Sequence, residues 1–172
     1  DTSDVMESSG SAAGLYSYTY DAAHNVTSVT NDGMVLEYEY DATGNLTGTT
    51  LTGSGNEAMS SSMEYSDDST KLLATTDNLG NVVSYTYNSW HQLKTTTAPT
   101  SNSITGNGTK QIQNSYLANS SRLYQTFVSD EIALTYAYTK GRISSITREG
   151  FATAGDGSGI EQTYSFTYNA LG

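Results

Sequence analysis

The chain has no cysteine, which excludes a disulfide framework and a thiolate metal site. It has a single proline, Pro99, so long stretches are left free to pair as sheet. Basic residues are scarce: 7 against 18 acidic ones, a net charge of −11, and they are scattered. A nucleic-acid partner is excluded on that ground, because binding the phosphate backbone needs clustered Lys or Arg to release counterions. Long apolar runs are missing as well. No window reaches the length of a membrane span, and no charged start leads into an apolar run as in a signal peptide. The expectation is a soluble piece of a longer protein. Few charges, 15%, on a chain rich in Ser, Thr, Asn and Gly lean toward a secreted or cell-surface location. Apolar content is low at 35%, yet 14 Tyr supply the large buriable surface that a disordered segment lacks.

Those tyrosines recur in order. YEYDATGNLT, from Tyr38 to Thr47, repeats an arrangement also found in YTYDAAHNVT from Tyr18 and YTYNSWHQLK from Tyr85. Each copy has an aromatic pair, an acid or amide, a short polar turn and an aliphatic restart. More diverged copies begin at Tyr136 (YAYTKGRISSI) and Phe166 (FTYNALG). The last tyrosines of the copies are Tyr20, Tyr40, Tyr87, Tyr138 and Tyr168, with Tyr65 and Tyr116 as weaker members. The steps between all seven are 20, 25, 22, 29, 22 and 30 residues, the signature of a repeat protein with variable insertions.

Residues Asp1 to Gly14 have no apolar period and read as a linker or frayed partial repeat. From Leu15 to Gly172 the chain reads as one repeat domain of about six hairpins, the last of them truncated. The period there is 2. Tyr16, Tyr18 and Tyr20 point one way while Leu15, Ser17 and Thr19 point the other; Met34, Leu36, Tyr38 and Tyr40 oppose Val35, Glu37 and Glu39 in the same manner. Asn31-Asp32-Gly33 is a tight hairpin signal. About thirteen short strands follow from this pattern. Two polar insertions, Ala98 to Thr109 and Glu149 to Gly159, have no period, and the first of them is expected to be a mobile loop.

Each motif position has its own physical task. Tyrosines two apart share a face and can stack into a ladder, which applies to Tyr18 with Tyr20, Tyr38 with Tyr40, Tyr85 with Tyr87 and Tyr136 with Tyr138. Asp21 and Asp41 are placed to accept turn amides as Asx turns do, and Asn45 closes the motif. The position of His24, Gly44 and His91 suits a left-handed backbone. Val26, Leu46 and Leu93 then restart the strand.

Tyr-x-Tyr-Asp-x-x-Gly-Asn-Leu-Thr, matched outright at Tyr38 to Thr47, resembles the YD repeat of the Rhs family, with relatives in bacterial Tc toxin components and animal teneurins. The resemblance covers Leu15 to Gly172. It implies an all-β fold, a meander of antiparallel hairpins forming a YD-repeat sheet, an open segment of a spiral β-shell in a large secreted or surface bacterial protein. In such proteins the shell often encloses a toxic C-terminal domain. The proline- and Asp-rich segment where the family cleaves itself and the variable toxin domain are both absent from this sequence. The implied partners are the neighbouring repeats of a longer chain, and exposed edges imply self-association.

No catalytic, cofactor or metal site is expected. His24 and His91 stand 67 residues apart at equivalent turn positions and read as turn residues in place of Gly. Asp67-Asp68 and Asp156 to Glu161 are oxygen-rich without following the ligand alternation of an EF-hand, so they read as solvated loop acids. No GxSxG nucleophile elbow is present. Four Asn-x-Ser/Thr triplets begin at Asn25, Asn45, Asn107 and Asn119, and the first two are simply the repeat. Trp90, in a turn, is the candidate ligand contact, and a carbohydrate-binding or adhesion module is the competing function.

Overall fold

A computed structural model describes residues 4–6, 16–53, 55, 57–102, 106–129, 132–150 and 159–169. The chain divides into two compact units, Asp1–Val82 and Val83–Gly172. The first holds β1 (Asp4–Met6), β2 (Tyr16–Tyr20), β3 (Val26–Asn31), β4 (Met34–Tyr40), β5 (Leu46–Thr52), β6 (Met59–Tyr65) and β7 (Leu72–Thr76). β8 (Val82–Tyr87) opens the second, followed by β9 (Leu93–Asn102), β10 (Gly106–Tyr116), β11 (Leu123–Val128), β12 (Ile132–Thr139), β13 (Arg142–Gly150) and β14 (Ile160–Ser165). Every described residue in regular structure is strand, and within each unit each strand pairs antiparallel with its sequence neighbour. The fold is an all-β antiparallel meander.

Register turns the alternation in sequence into faces. In the first unit Tyr18, Val29, Leu36, Leu51 and Met59 are successive cross-strand partners, an apolar row across five strands. One residue away on each strand lies Thr19, Ser28, Glu37, Thr50 and Ser60, a polar row that the pleat sends to the opposite face. Hydroxyls pair across that polar side, Thr19 Oγ1 with Ser28 Oγ at 2.7 Å and, in the second unit, Thr86 Oγ1 with Thr95 Oγ1 at 2.6 Å. The second unit has its own apolar row, Tyr85, Thr96, Ile112, Val128 and Ile132, interrupted by one threonine.

Burial is shallow among the described residues. Ala133, 2% exposed, is the buried apolar residue among those described, and most strand side chains are half-buried. Without a deep core, stability must come from cross-strand pairs, each worth about 0.2–1 kcal/mol, and from backbone ladders. Gly48 is buried because the Glu39 side chain folds over it; a Cβ there would meet Glu39 Oε2 at 2.8 Å.

Three elements differ from the sequence reading. Asp4–Met6, inside the segment read as linker or frayed repeat, forms β1 against Tyr16–Tyr18. The expected mobile loop from Ala98 to Thr109 is instead the continuation of the β9–β10 hairpin, paired from Gly106↔Asn102 through to Gln113↔Thr95, with residues 103–105 outside the described set. A two-stranded ribbon extending past the shared registers with β8 and β11 has no face to bury, so its sequence needs no apolar alternation, and a search for period 2 passes over it. The last aromatic copy, FTYNALG from Phe166, begins beyond the ladder, since β14 ends at Ser165 and the Phe166 N–H then donates to the Ser144 carbonyl at 2.9 Å.

Candidate functional site

The features that repeat most faithfully lie where the hairpins turn after a tyrosine. At each of six such tyrosines the ladder carries a β-bulge: Tyr20 pairs with Val26, Tyr40 with Leu46, Tyr65 with Leu72, Tyr87 with Leu93, Tyr116 with Leu123 and Tyr138 with Ile143. One residue of the returning strand is skipped each time, for example Thr47 between Leu46 and Gly48. A bulge disrupts the ladder locally and sharpens the twist.

Beside four of these bulges the carbonyl of the aliphatic residue takes a phenol from the following repeat. Tyr40 Oη donates to Val26 O at 2.9 Å, Tyr116 to Leu93 O at 2.8 Å, Tyr138 to Leu123 O at 2.9 Å and Tyr168 to Ile143 O at 2.8 Å. The tyrosine of one copy is thereby fastened to the aliphatic position of the copy before it. Burial pushes the Tyr116 phenol above its ordinary pKa, as expected for a hydroxyl held away from water. Arg122 lies over the Tyr138 ring, 5.7 Å from its centroid, and Arg142 over Tyr168 at 5.3 Å.

The turns themselves share one frame. The N–H of Asp21, Asp41, Asp77 or Asn88 donates to the carbonyl four residues on, at 2.9–3.0 Å, and the N–H three residues on returns a bond to its carbonyl at 3.0 Å. That geometry drives the fourth residue left-handed: φ is 67° at His24, 90° at Gly44, 80° at Gly80 and 61° at His91. The carboxylate completes the turn. Asp41 Oδ1 accepts the N–H groups of Thr43 and Asn45, each at 2.9 Å, and the Thr43 hydroxyl at 2.6 Å, while Oδ2 accepts the Asn45 amide at 3.0 Å. Asp21 repeats this with Ala23 and Asn25, and Asp77 with Leu79 and Asn81.

So many donors favour the charged form. The Thr43 hydroxyl, then Asn45, hold the Asp41 carboxyl far below the usual carboxylate range, and the Asn25 and Asn81 amides lower Asp21 and Asp77. Asn88 keeps the frame without charge. Its Oδ1 accepts the N–H of Trp90 and Gln92 at 2.9 and 3.0 Å, and its Nδ2 donates to Gln92 Oε1 at 2.7 Å. In the Ser66–Lys71 turn the acid has moved to Asp68, lowered by the Ser66 hydroxyl at 2.5 Å and the Thr70 hydroxyl at 2.8 Å and paired with Lys71 at 3.5 Å.

The closing amide also reaches outward. Asn45 Nδ2 donates to Ser69 O in the next turn at 2.8 Å, and Gln92 Nε2 donates to Ser120 O at 2.9 Å. Two devices therefore join successive repeats, the phenol and this amide.

The structure places the expected residues as follows. Tyr18, Tyr20, Tyr38, Tyr40, Tyr85, Tyr87, Tyr136 and Tyr138 are half-buried on their strands, and Tyr168 is 49% exposed after β14. Gly44, Asn45 and Leu46 complete the Asp41 turn. His24 and His91 sit in different units, each exposed at the left-handed turn position. Among the described residues no group of three or more His, Cys, Asp or Glu is arranged to hold a metal. Asp156 lies outside the described residues. Trp90 is 70% exposed at a turn tip. The sequence marks Asn78 to Asn81 as a turn, and the structure starts it at Asp77 in the same frame as the tyrosine turns; sequence reasoning missed that kinship because DNLGN carries the Asp-x-x-Gly-Asn string after a threonine instead of a tyrosine. It also missed the bulge carbonyls, which no side-chain pattern encodes.

Comparison with known proteins agrees with this picture. The family described as RHS Repeat matches twice, at residues 20–56 and 67–103, each span beginning close to a tyrosine turn. Three solved structures cover 90% of the chain: TcdB2-TccC3 without its hypervariable C-terminal region (TM-score 0.67, 18% identity), TcdB2-TccC3-Cdc42 (0.70, 18%) and a Photorhabdus luminescens Tc holotoxin pore (0.68, 17%). The chain spans only 8–9% of those chains' length, and identities this low establish the shared fold. No curated protein matches.

Proposed function

We propose that the chain, whose residues 20–56 and 67–103 match the RHS Repeat family, is a structural repeat segment that forms part of the wall of a β-shell in a large secreted or surface-displayed bacterial protein, one that encloses a C-terminal toxin. The observation that carries the reading is the fastening between repeats. Phenol-to-carbonyl bonds such as Tyr116 to Leu93, and amide-to-carbonyl bonds such as Asn45 to Ser69, tie successive hairpins together within each unit. The partners are then the neighbouring repeats of the parent chain. The reading is non-enzymatic: the strongly perturbed carboxylate of Asp41 is engaged by the amides and the hydroxyl of its own turn.

In the parent, further hairpins would pair with the edge of β14 that meets no strand among the described residues. In the isolated chain that edge, with Tyr164 50% and Phe166 43% exposed, invites a second copy. Sedimentation at micromolar concentration tests this: a dimer or larger assembly is expected, whereas a strict monomer at all concentrations would count against a wall with open edges. A second reading, adhesion through carbohydrate, has one observation in its favour, the exposure of Trp90.

A further inference from the structure

Trp90 does not stand alone on the surface. Its turn and the following one, around Leu117 to Ser120, flank a groove of about 250 Å³ lined by Trp90, Gln92, Lys94, Asn114, Tyr116 and Asn119 among others. The groove floor is fixed. Gln92 Nε2 bonds the far turn at Ser120 O, 2.9 Å, while its Oε1 accepts Asn88 Nδ2 at 2.7 Å. Tyr116 Oη and Asn114 Nδ2 both reach Leu93 O, at 2.8 and 3.4 Å. These groups are committed to holding the walls apart. What remains presented to solvent is the Trp90 indole on one side, the exposed Asn119 held at φ 54° on the other, and the exposed Lys94 at the rim, while the Ser115 hydroxyl donates to Gln125 O at 3.4 Å.

We propose that this groove is a carbohydrate subsite that seats one sugar ring against the Trp90 indole, with Asn119 and Lys94 meeting the ring's hydroxyls. The proposal deepens the adhesion reading and rests on it. A ligand here must have a flat apolar face for the indole and hydrogen-bonding groups around its edge, and a sugar ring has both. The site is too small for a drug-sized or helical ligand, since pockets for those start near about 300 Å³. A strongly anionic ligand is disfavoured by the chain's net charge of −11, against which Lys94 is the one charged side chain in the lining. A rigid floor with one exposed aromatic wall lowers the ordering cost of binding a small rigid ring.

The chain contains one tryptophan, so its intrinsic fluorescence reports on this groove alone. The test is an array of immobilised oligosaccharides probed with the full chain, followed by fluorescence titration with each free sugar that binds. Expected are array binding, a blue shift with protection from acrylamide quenching, and a loss of about tenfold or more in affinity in Trp90→Ala, the scale that ring stacking on an aromatic supports. Leu79→Ala, at another turn tip and 79% exposed, should bind as the parent does. Trp90→Phe keeps an aromatic wall and should retain part of the affinity. Array binding that survives Trp90→Ala would overturn the groove while leaving adhesion standing. No binding to any sugar would overturn both, and neither result touches the wall reading.

Discussion

The hydroxyl of Tyr40 is the simplest place to weigh the fastening. Tyr40→Phe removes one bond, the 2.9 Å contact to Val26 O, and leaves the half-buried ring in place. A net hydrogen bond contributes about 0.5–1.5 kcal/mol, and partial exposure of this one lets water replace it, so about 0.5–1 kcal/mol is expected. Tyr40→Ala removes the ring too. Truncating a fully buried aromatic costs about 3–5 kcal/mol, so a half-buried one adds about 2 kcal/mol. For a chain of this size each kcal/mol moves the melting temperature by about 2–4 °C, which places Tyr40→Phe a few degrees below the parent and Tyr40→Ala well below both. Urea unfolding followed by far-UV circular dichroism gives the free energies, with an unchanged slope showing that the same surface unfolds. Equal stability of Tyr40→Phe and the parent would show the phenol to be idle. Equal damage from Phe and Ala would show that the hydroxyl organises the ring, against the additive argument used here.

Three further outcomes follow from the turns. Because the folded pKa values of Asp21, Asp41, Asp68 and Asp77 lie below their unfolded values, their stabilisation is complete above the unfolded carboxylate value of about 4 and is lost as pH falls through the folded values; thermal melts should be flat from pH 7 to 5 and fall below about pH 4, with a shallower acid limb in Asp41→Asn. His24, at φ 67°, pays for a conformation that glycine adopts freely, so His24→Gly should raise the melting temperature, while Gly44→Ala at φ 90° should lower it by the equivalent of about 1 kcal/mol; opposite signs in calorimetry would contradict the shared left-handed frame. In amide exchange, Gln92→Ala should speed exchange in the Leu117–Ser120 turn as well as in its own, since Gln92 Nε2 ties the two at 2.9 Å; an effect confined to its own turn would show the link to be passive.

Much of the fold was legible because the repeat alternates. Tyr16, Tyr18 and Tyr20 mark a strand by period alone, and Asn31-Asp32-Gly33 gives a hairpin whose Asp32 and Gly33 take φ of 46° and 77°. Where the physics does not demand alternation the reading failed, as along Ala98–Asn102 and Gly106–Thr109, a ribbon with no face to bury. The turn carboxylates were legible because Asp before a tight turn has one common use, accepting its amides. The link from Tyr40 to Val26 was not, because its acceptor is a backbone carbonyl whose availability depends on a bulge, and a bulge is a property of register between strands. The same holds for Asn45, read as a motif position but bonded also to Ser69, a residue 24 positions on.

The most direct test of the wall reading is an electron cryo-microscopy reconstruction of the protein encoded by the complete reading frame that contains this segment. The account predicts these strands within a continuous curved sheet, β14 paired on its free edge by the next hairpin, and the Tyr116, Tyr138 and Tyr168 phenols on the carbonyls of the preceding repeats around an enclosed space. A reconstruction that shows the segment as a separate module, with β14 unpaired and no enclosing sheet, would contradict it.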